Sequence, residues 1–252
     1  MLTTQRKQLI LSRLKRDGQF IAKAFSEELG ISEDTVRRDL RELAAEGHLQ
    51  RVHGGALPAS AAVGDMRVRA QLAPEDKRLL GRAGAALIQP GQVVILDGGT
   101  TSLQVVQHLP LDIKATVVTH SPTIAVALAE HANIEVLMLG GRLFRHSMVN
   151  VGAGVIEGAA RIRADLYLMG VTGVHAEAGL TTGDFEEAAV KRALHERAAE
   201  TVVLATLDKL GAASPFTVAP LKELAALVVP SSIPAGLCKR LLATGVKLVR
   251  AE

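Results

Sequence analysis

The chain of 252 residues is 48% hydrophobic and 22% charged, with 29 basic against 26 acidic residues and one cysteine, Cys238. That balance excludes disorder as the main state, the lone cysteine excludes a disulfide framework or a cysteine-based zinc site, and 2% aromatics without Trp argues against a single-strand binder built on stacked rings. No run of about 18 apolar residues occurs and Met1–Lys7 lacks the apolar core of a secretory signal, so a cytoplasmic protein of one or two domains without a membrane span is expected.

The net charge of +3 says less than its distribution. Arg6, Lys7, Arg13, Lys15 and Arg16 fall in residues 1–16 without an acid, and Arg37, Arg38 and Arg41 surround Asp39. Two basic clusters so close together are a footprint of phosphate contact.

Residues 3–16 predict a helix capped by Thr3 or Thr4, with Ile10, Leu11 and Leu14 on one face and Gly18 as its stop. Ala22–Leu29 predicts a second helix, stopped by Gly30. Ser32 caps a third that runs to about Glu46, with Gly47 ending it. Leu49–Val52 alternates as a short strand, and His53, Gly54 and Gly55 form a turn. Three short helices followed by a small hairpin describe a winged helix-turn-helix over residues 1–57.

On a wheel of about 100° per residue, Val36, Leu40 and Leu43 of the third helix share one arc. Asp34, Arg38, Arg41 and Glu42 lie opposite, with Thr35 and Arg37 on the flanks. Arginines placed so suit guanine edges in the major groove, and Ser32, Thr35 and the helix-start N–H groups suit a phosphate. Asp39 points to the core side, where a first-helix base such as Arg6 is its expected partner.

Residues 58–73, with Pro58, Ala61, Ala62, Val63 and Gly64, lose periodicity and predict a linker. From Pro74 onward helical stretches alternate with short apolar runs: Val93–Leu96, Thr116–Thr119, Glu135–Leu139, Leu166–Met169, Thr201–Leu204 and Ala226–Val229. Such runs suit strands of a parallel sheet covered on both faces, an α/β domain over residues 74–252.

The first of these strands enters Asp97, Gly98, Gly99, Thr100, Thr101 and Ser102, with a helix expected from about Leu103. Glycines that let the backbone curl, hydroxyl donors and a helix N-terminus make an anion cradle. Thr119-His120-Ser121 and Gly140-Gly141-Arg142 end the next two strands, so the three loops are expected to converge at the carboxyl edge of the sheet. Lys191 and Lys209 are placed to meet a phosphate, and Asp184 or Glu186 to accept sugar hydroxyls; surface charge or helix capping is the plainer role for each. Neither a cofactor nor a metal is expected.

Arg6, Ile10 and Leu14, then Ser32-Glu33-Asp34-Thr35-Val36-Arg37-Arg38-Asp39-Leu40, then Gly47 through His53-Gly54-Gly55-Ala56, strongly resemble the DeoR family of bacterial sugar-operon repressors. The resemblance implies a DNA-binding head with Ser32, Thr35, Arg37 and Arg38 nearest the DNA, Arg41 on the same exposed arc, and Arg51 and His53 of the wing on the backbone. Asp76-Lys77, Asp97 to Thr101, Thr119-His120-Ser121, Gly140-Gly141 and the Lys209 segment extend the resemblance to the family's sensor domain, which is similar in fold to ribose-5-phosphate isomerase. It implies a phosphorylated sugar or polyol as effector, double-stranded operator DNA as partner, and a homodimer or homotetramer. Thr206 stands where many members have Asp, and His120 where Asn is frequent, which points to a divergent ligand. The second class of function is an enzyme, a sugar-phosphate isomerase or hydrolase with an attached head. No paired carboxylates at fixed spacing, H-E-x-x-H cluster or G-x-S-x-G elbow speaks for it, so a regulator without enzymatic activity is expected.

Overall fold

Helix α1 (Thr3–Asp17), strand β1 (Phe20–Ile21), helices α2 (Ala22–Leu29) and α3 (Glu33–Ala45) and strands β2 (Leu49–Val52) and β3 (Gly55–Pro58) build the expected head. The computed structural model describes residues 2–60 and 66–252. The strands pair antiparallel in the order β1-β3-β2. Ile10, Leu14, Phe25, Val36, Leu40 and Leu43 meet in one core, so the apolar arc of α3 packs as its period requires. Arg6 and Asp39, both buried, pair through two guanidinium nitrogens and tie α1 to α3. Thr3 and Thr4 do not cap α1: they lie inside its first turn, and Leu2 holds the cap position without a side-chain bond. Ser32 does cap α3, its Oγ accepting the Thr35 N–H at 3.3 Å. β1 pairs Phe20 with Ala56, a two-residue strand too short to show a period in sequence. At Gly55 a Cβ would stand 1.7 Å from the Phe20 carbonyl oxygen, so this pairing admits only glycine.

The stretch read as a linker is partly structured. Pro58 ends β3, its carbonyl accepts the Ala213 N–H at 3.0 Å, and the Ser60 hydroxyl donates to the Thr172 carbonyl. Ala61, Ala62, Val63 and Gly64 lie outside the described residues. Met66–Gln71 forms helix α4, whose six residues are too few for periodicity to reveal.

The second domain continues with α5 (Pro74–Leu87), β4 (Val93–Leu96), α6 (Thr100–His108), β5 (Ala115–Thr119), α7 (Pro122–Ala127), β6 (Ile134–Met138), β7 (Arg142–Phe144), β8 (Val149–Val151) and α8 (Ala153–Ala159). Then come β9 (Ala164–Met169), β10 (Gly173–His175), β11 (Gly179–Thr182), α9 (Phe185–His195), β12 (Ala198–Leu204), β13 (Phe216–Ala219), β14 (Ala226–Pro230), α10 (Ala235–Leu242) and β15 (Leu248–Ala251). Among the described residues seven strands form one parallel sheet in the order β15-β14-β12-β9-β4-β5-β6. The apolar runs expected as strands are β4, β5, β6, β9, β12 and β14 of this sheet. Alternate residues feed two cores: Ile95, Val118, Tyr167 and Val203 on one face, Val94, Val117, Leu168 and Leu204 on the other. That is the two-sided burial which the unbroken apolar runs imply. No helix among the described residues is long and apolar enough to cross a membrane.

Helix α6 begins at Thr100 rather than near Leu103, so Thr100, Thr101 and Ser102 are its first turn and not a loop before it. Ser121 occupies the cap position of α7 without capping it; its hydroxyl instead meets Thr123 Oγ1 at 2.8 Å and the Met148 carbonyl at 2.9 Å.

Candidate functional site

Ser32, Arg37, Arg38 and Arg41 of α3 and Arg51 and His53 of the wing are exposed, and Thr35 is half-buried. Arg38 and Arg41 have no acidic partner among the described residues, so their guanidinium groups stand ready for an outside acceptor. Arg37 is instead held by Glu33 at 2.8 Å and Asp34 at 3.5 Å. The first basic cluster is largely spent inside the head: Arg6 on Asp39, Lys7 on Glu42 and Glu46, Arg13 on Glu28 and Arg16 on Asp17. Much of the expected phosphate footprint of residues 1–16 is therefore internal pairing.

In the second domain a cavity opens above the carboxyl ends of β4, β9 and β12, at the start of α6. Between β4 and β9 the sheet order reverses: β5 and β6 lie to one side and β12, β14 and β15 to the other. The cavity thus occupies the switch point where open α/β sheets bind ligands. Gly98, Gly99, Thr100, Thr101 and Ser102 line it. Gly99 has φ +123° and a Cβ on Gly98 would meet Val149 at 2.3 Å, so both glycines are needed for the backbone to curl here. The first N–H groups of α6 have no intrahelical acceptor, and Thr101 Oγ1 is buried without a partner among the described residues.

Lys191 and Lys209 both reach the cavity wall. Lys191 lies on Asp97 at 2.6 Å and Glu187 at 3.5 Å. Burial opposes its charge, but the two carboxylates outweigh burial and raise its pKa. Lys209 is different: burial lowers its ammonium to about 8, Asp208 opposes the shift, and Arg69, Lys77 and Lys191 add to it. Asp97 does not line the cavity but anchors its floor. Its carboxylate receives His120 Nε2 at 2.8 Å, the Lys191 ammonium, the Tyr167 hydroxyl at 3.1 Å and the Gly170 N–H at 2.9 Å. Burial works against its ionisation, yet Lys191 and His120 prevail and hold its pKa below the usual carboxylate range.

The expected convergence of three loops is not what the fold builds. Thr119 and His120 are buried beside the cavity, His120 acting through Asp97 and bonding the Asn150 carbonyl through Nδ1 at 2.8 Å. Gly140 and Gly141 are absent from the cavity, because β6 is the edge strand and β9 and β12 hold the places beyond β4. Asp184 caps α9 through the Glu187 N–H at 2.9 Å and Glu186 pairs with Arg142 at the surface, so neither faces the cavity. Sequence reasoning assigned no role to Arg69, Glu187 or Asp208 and named Lys77 only as part of the family resemblance, yet all four line it. For Lys77 the signal was present: it shares the buried face of α5 with Leu80, Gly81 and Gly84. Burial lowers its pKa, Asp208 opposes that and Arg69 adds to it.

A winged helix with exposed arginines, joined to a parallel α/β domain with a cavity lined by lysines, is the architecture of a DNA-binding regulator. Residues 6–61 match the DeoR-like helix-turn-helix domain and residues 72–231 the DeoR C terminal sensor domain. The chain belongs to the DeoR family of DNA-binding transcriptional regulators. It is 34% identical to the HTH-type transcriptional regulator GlpR of Haloferax volcanii, over 99% of this chain and 98% of that one. It is 28% identical to the glycerol-3-phosphate regulon repressor of Escherichia coli K12, over 84% of each. Ribose 5 phosphate isomerase A from Neisseria gonorrhoeae matches 53% of this chain and 52% of its own, with a TM-score of 0.40 and 15% identity, a likeness from which nothing about activity follows.

Proposed function

We propose that the protein is a cytoplasmic repressor of a carbohydrate-catabolism operon, released from its operator by a phosphorylated sugar or polyol held in the cavity of the sensor domain. The observation that carries this reading is the cavity itself. Among the described residues, Lys77 and Lys209, the α6 N-terminus and the unpartnered Thr101 hydroxyl face one space, against the single carboxylate of Asp208, since Lys191 pairs with Asp97 and Glu187. Phosphate is the common group that such donors match. A relative named for the glycerol-3-phosphate regulon supports the same chemistry.

In the head, Arg38 and Arg41 read base edges, Ser32 and Thr35 hold a phosphate at the start of α3, and Arg51 and His53 follow the backbone from the wing. Two heads are needed for repeated half-sites, so the working form is a homodimer or homotetramer. An enzymatic role is disfavoured by the state of the carboxylates. Asp97 accepts from five partners and Glu187 takes the Thr182 hydroxyl at 2.6 Å as well as Lys191, so neither is free for acid–base work, and Asp208 is left as the one cavity carboxylate outside those pairings.

Selecting an operator from a random duplex library with the wild-type protein, then titrating the complex with sugar and polyol phosphates, tests the proposal. Release by a phosphorylated compound and not by its unphosphorylated form supports it. Turnover of any panel member would favour the enzyme instead.

A further inference from the structure

We propose that the segment joining the two domains is itself part of the effector site: Arg69 of α4 closes the cavity over the ligand's anionic group, so that the strap carrying the head senses occupancy directly. This deepens the effector reading above and rests on it.

Helix α4 presents two arginines in opposite ways. Arg67 is exposed, whereas Arg69 is half-buried and lines the cavity. Arg69 Nη2 donates to the His146 carbonyl at 3.1 Å, in the turn after β7. From the other side Lys77, only 5% exposed, donates its ammonium to the Arg69 carbonyl. A buried ammonium on a neutral carbonyl is a weaker arrangement than one on an anion. An incoming phosphate offers Lys77 that anion, and offers the Arg69 fork two oxygens of matching geometry. Both groups then turn toward the ligand, so that α4 is held through the ligand and the Arg69 guanidinium in place of the bond from Lys77 to the Arg69 carbonyl.

The other end of the strap rests on the same cavity. Ser60 donates to the Thr172 carbonyl, Pro58 accepts from Ala213, and Thr172 lines the cavity while its hydroxyl meets Ser214 at 2.7 Å. The strap is therefore seated on the cavity wall at Ser60 and again at Arg69. A ligand that changes the second seat changes how the head is held, which is the differential contact that coupling of two sites requires.

The test uses the full chain, with inorganic phosphate, glycerol 3-phosphate and glucose 6-phosphate as probes. Two readouts are followed: probe affinity by calorimetry, and the rate of tryptic cleavage after Arg67, read by mass spectrometry. In the wild type the tightest probe slows this cleavage severalfold. Arg69→Ala, on a helix without a fully buried residue, binds that probe about tenfold more weakly or worse and loses the protection even at saturation, and Arg69→Lys recovers only part. Lys209→Ala, the cavity control, loses affinity and protection together. If Arg69→Ala binds like the wild type, or if wild-type cleavage is unchanged by bound probe, α4 is not part of the site and the effector reading stands alone. If no probe binds the wild type, both readings fall.

Discussion

Arg37 and Arg38 are neighbours with different duties. Arg37 shares its guanidinium with Glu33 and Asp34, while Arg38 is exposed without an acidic partner among the described residues. Arg38→Ala is expected to weaken specific operator binding by about 1–3 kcal/mol, and Arg37→Ala by less, measured by fluorescence anisotropy. An equal loss on operator and random duplex would instead make Arg38 a phosphate contact. At Lys209, an ammonium lowered to about 8 titrates in a useful range. Anion binding needs it protonated, and the phosphate is a dianion only above a second pKa of about 6. Effector affinity is therefore expected to peak between those values and to fall as pH rises past about 8; Lys209→Arg should remove the alkaline fall, and its persistence there would point to another group. Asp97 is the residue the cavity floor depends on. Asp97→Asn leaves buried Lys191 with Glu187 alone and should cost about 3–5 kcal/mol in urea unfolding at neutral pH. Because the folded pKa of Asp97 is lowered, its contribution is present above about pH 4 and is lost as pH falls below that value.

Among elements, α3 was the most legible, since the 3.6-residue period placed Val36, Leu40 and Leu43 inward and left Asp39 to meet Arg6. That pair is expected to matter for the head alone. Asp39→Asn strands a buried guanidinium and should lower head stability by about 3–5 kcal/mol, seen in calorimetry as an earlier, separate transition while the sensor domain's transition stays in place. A single unmoved transition would show the pair to be dispensable. The central strands were legible because burial on both faces makes them wholly apolar. β15 was not, since as an edge strand it carries Arg250 toward solvent, nor were the antiparallel β7, β8, β10, β11 and β13, each of three or four residues. The anion cradle at Gly98–Ser102 could be read from local chemistry alone. Which loops join it could not, because strand order decides that: β9, the fourth strand of this sheet along the chain, pairs with β4 and carries the cavity away from Gly140 and Gly141.

At the scale of the whole molecule, the head and the sensor domain are joined by a strap that touches the cavity wall through Ser60 and Arg69. In the proposed account regulation needs no long relay: a ligand at the switch point of the sheet meets the strap, and the strap meets the head. Coupling of this kind is ordinarily worth about 1–3 kcal/mol, enough for a five- to 150-fold change in operator affinity. The most direct test is a titration of the selected operator complex with phosphorylated and unphosphorylated forms of each candidate sugar and polyol, for the wild type and for Lys209→Ala. The account predicts release of the wild type by one phosphorylated form alone, with Lys209→Ala binding DNA normally and resisting release. Equal release by the unphosphorylated form, or normal release of Lys209→Ala, would contradict it.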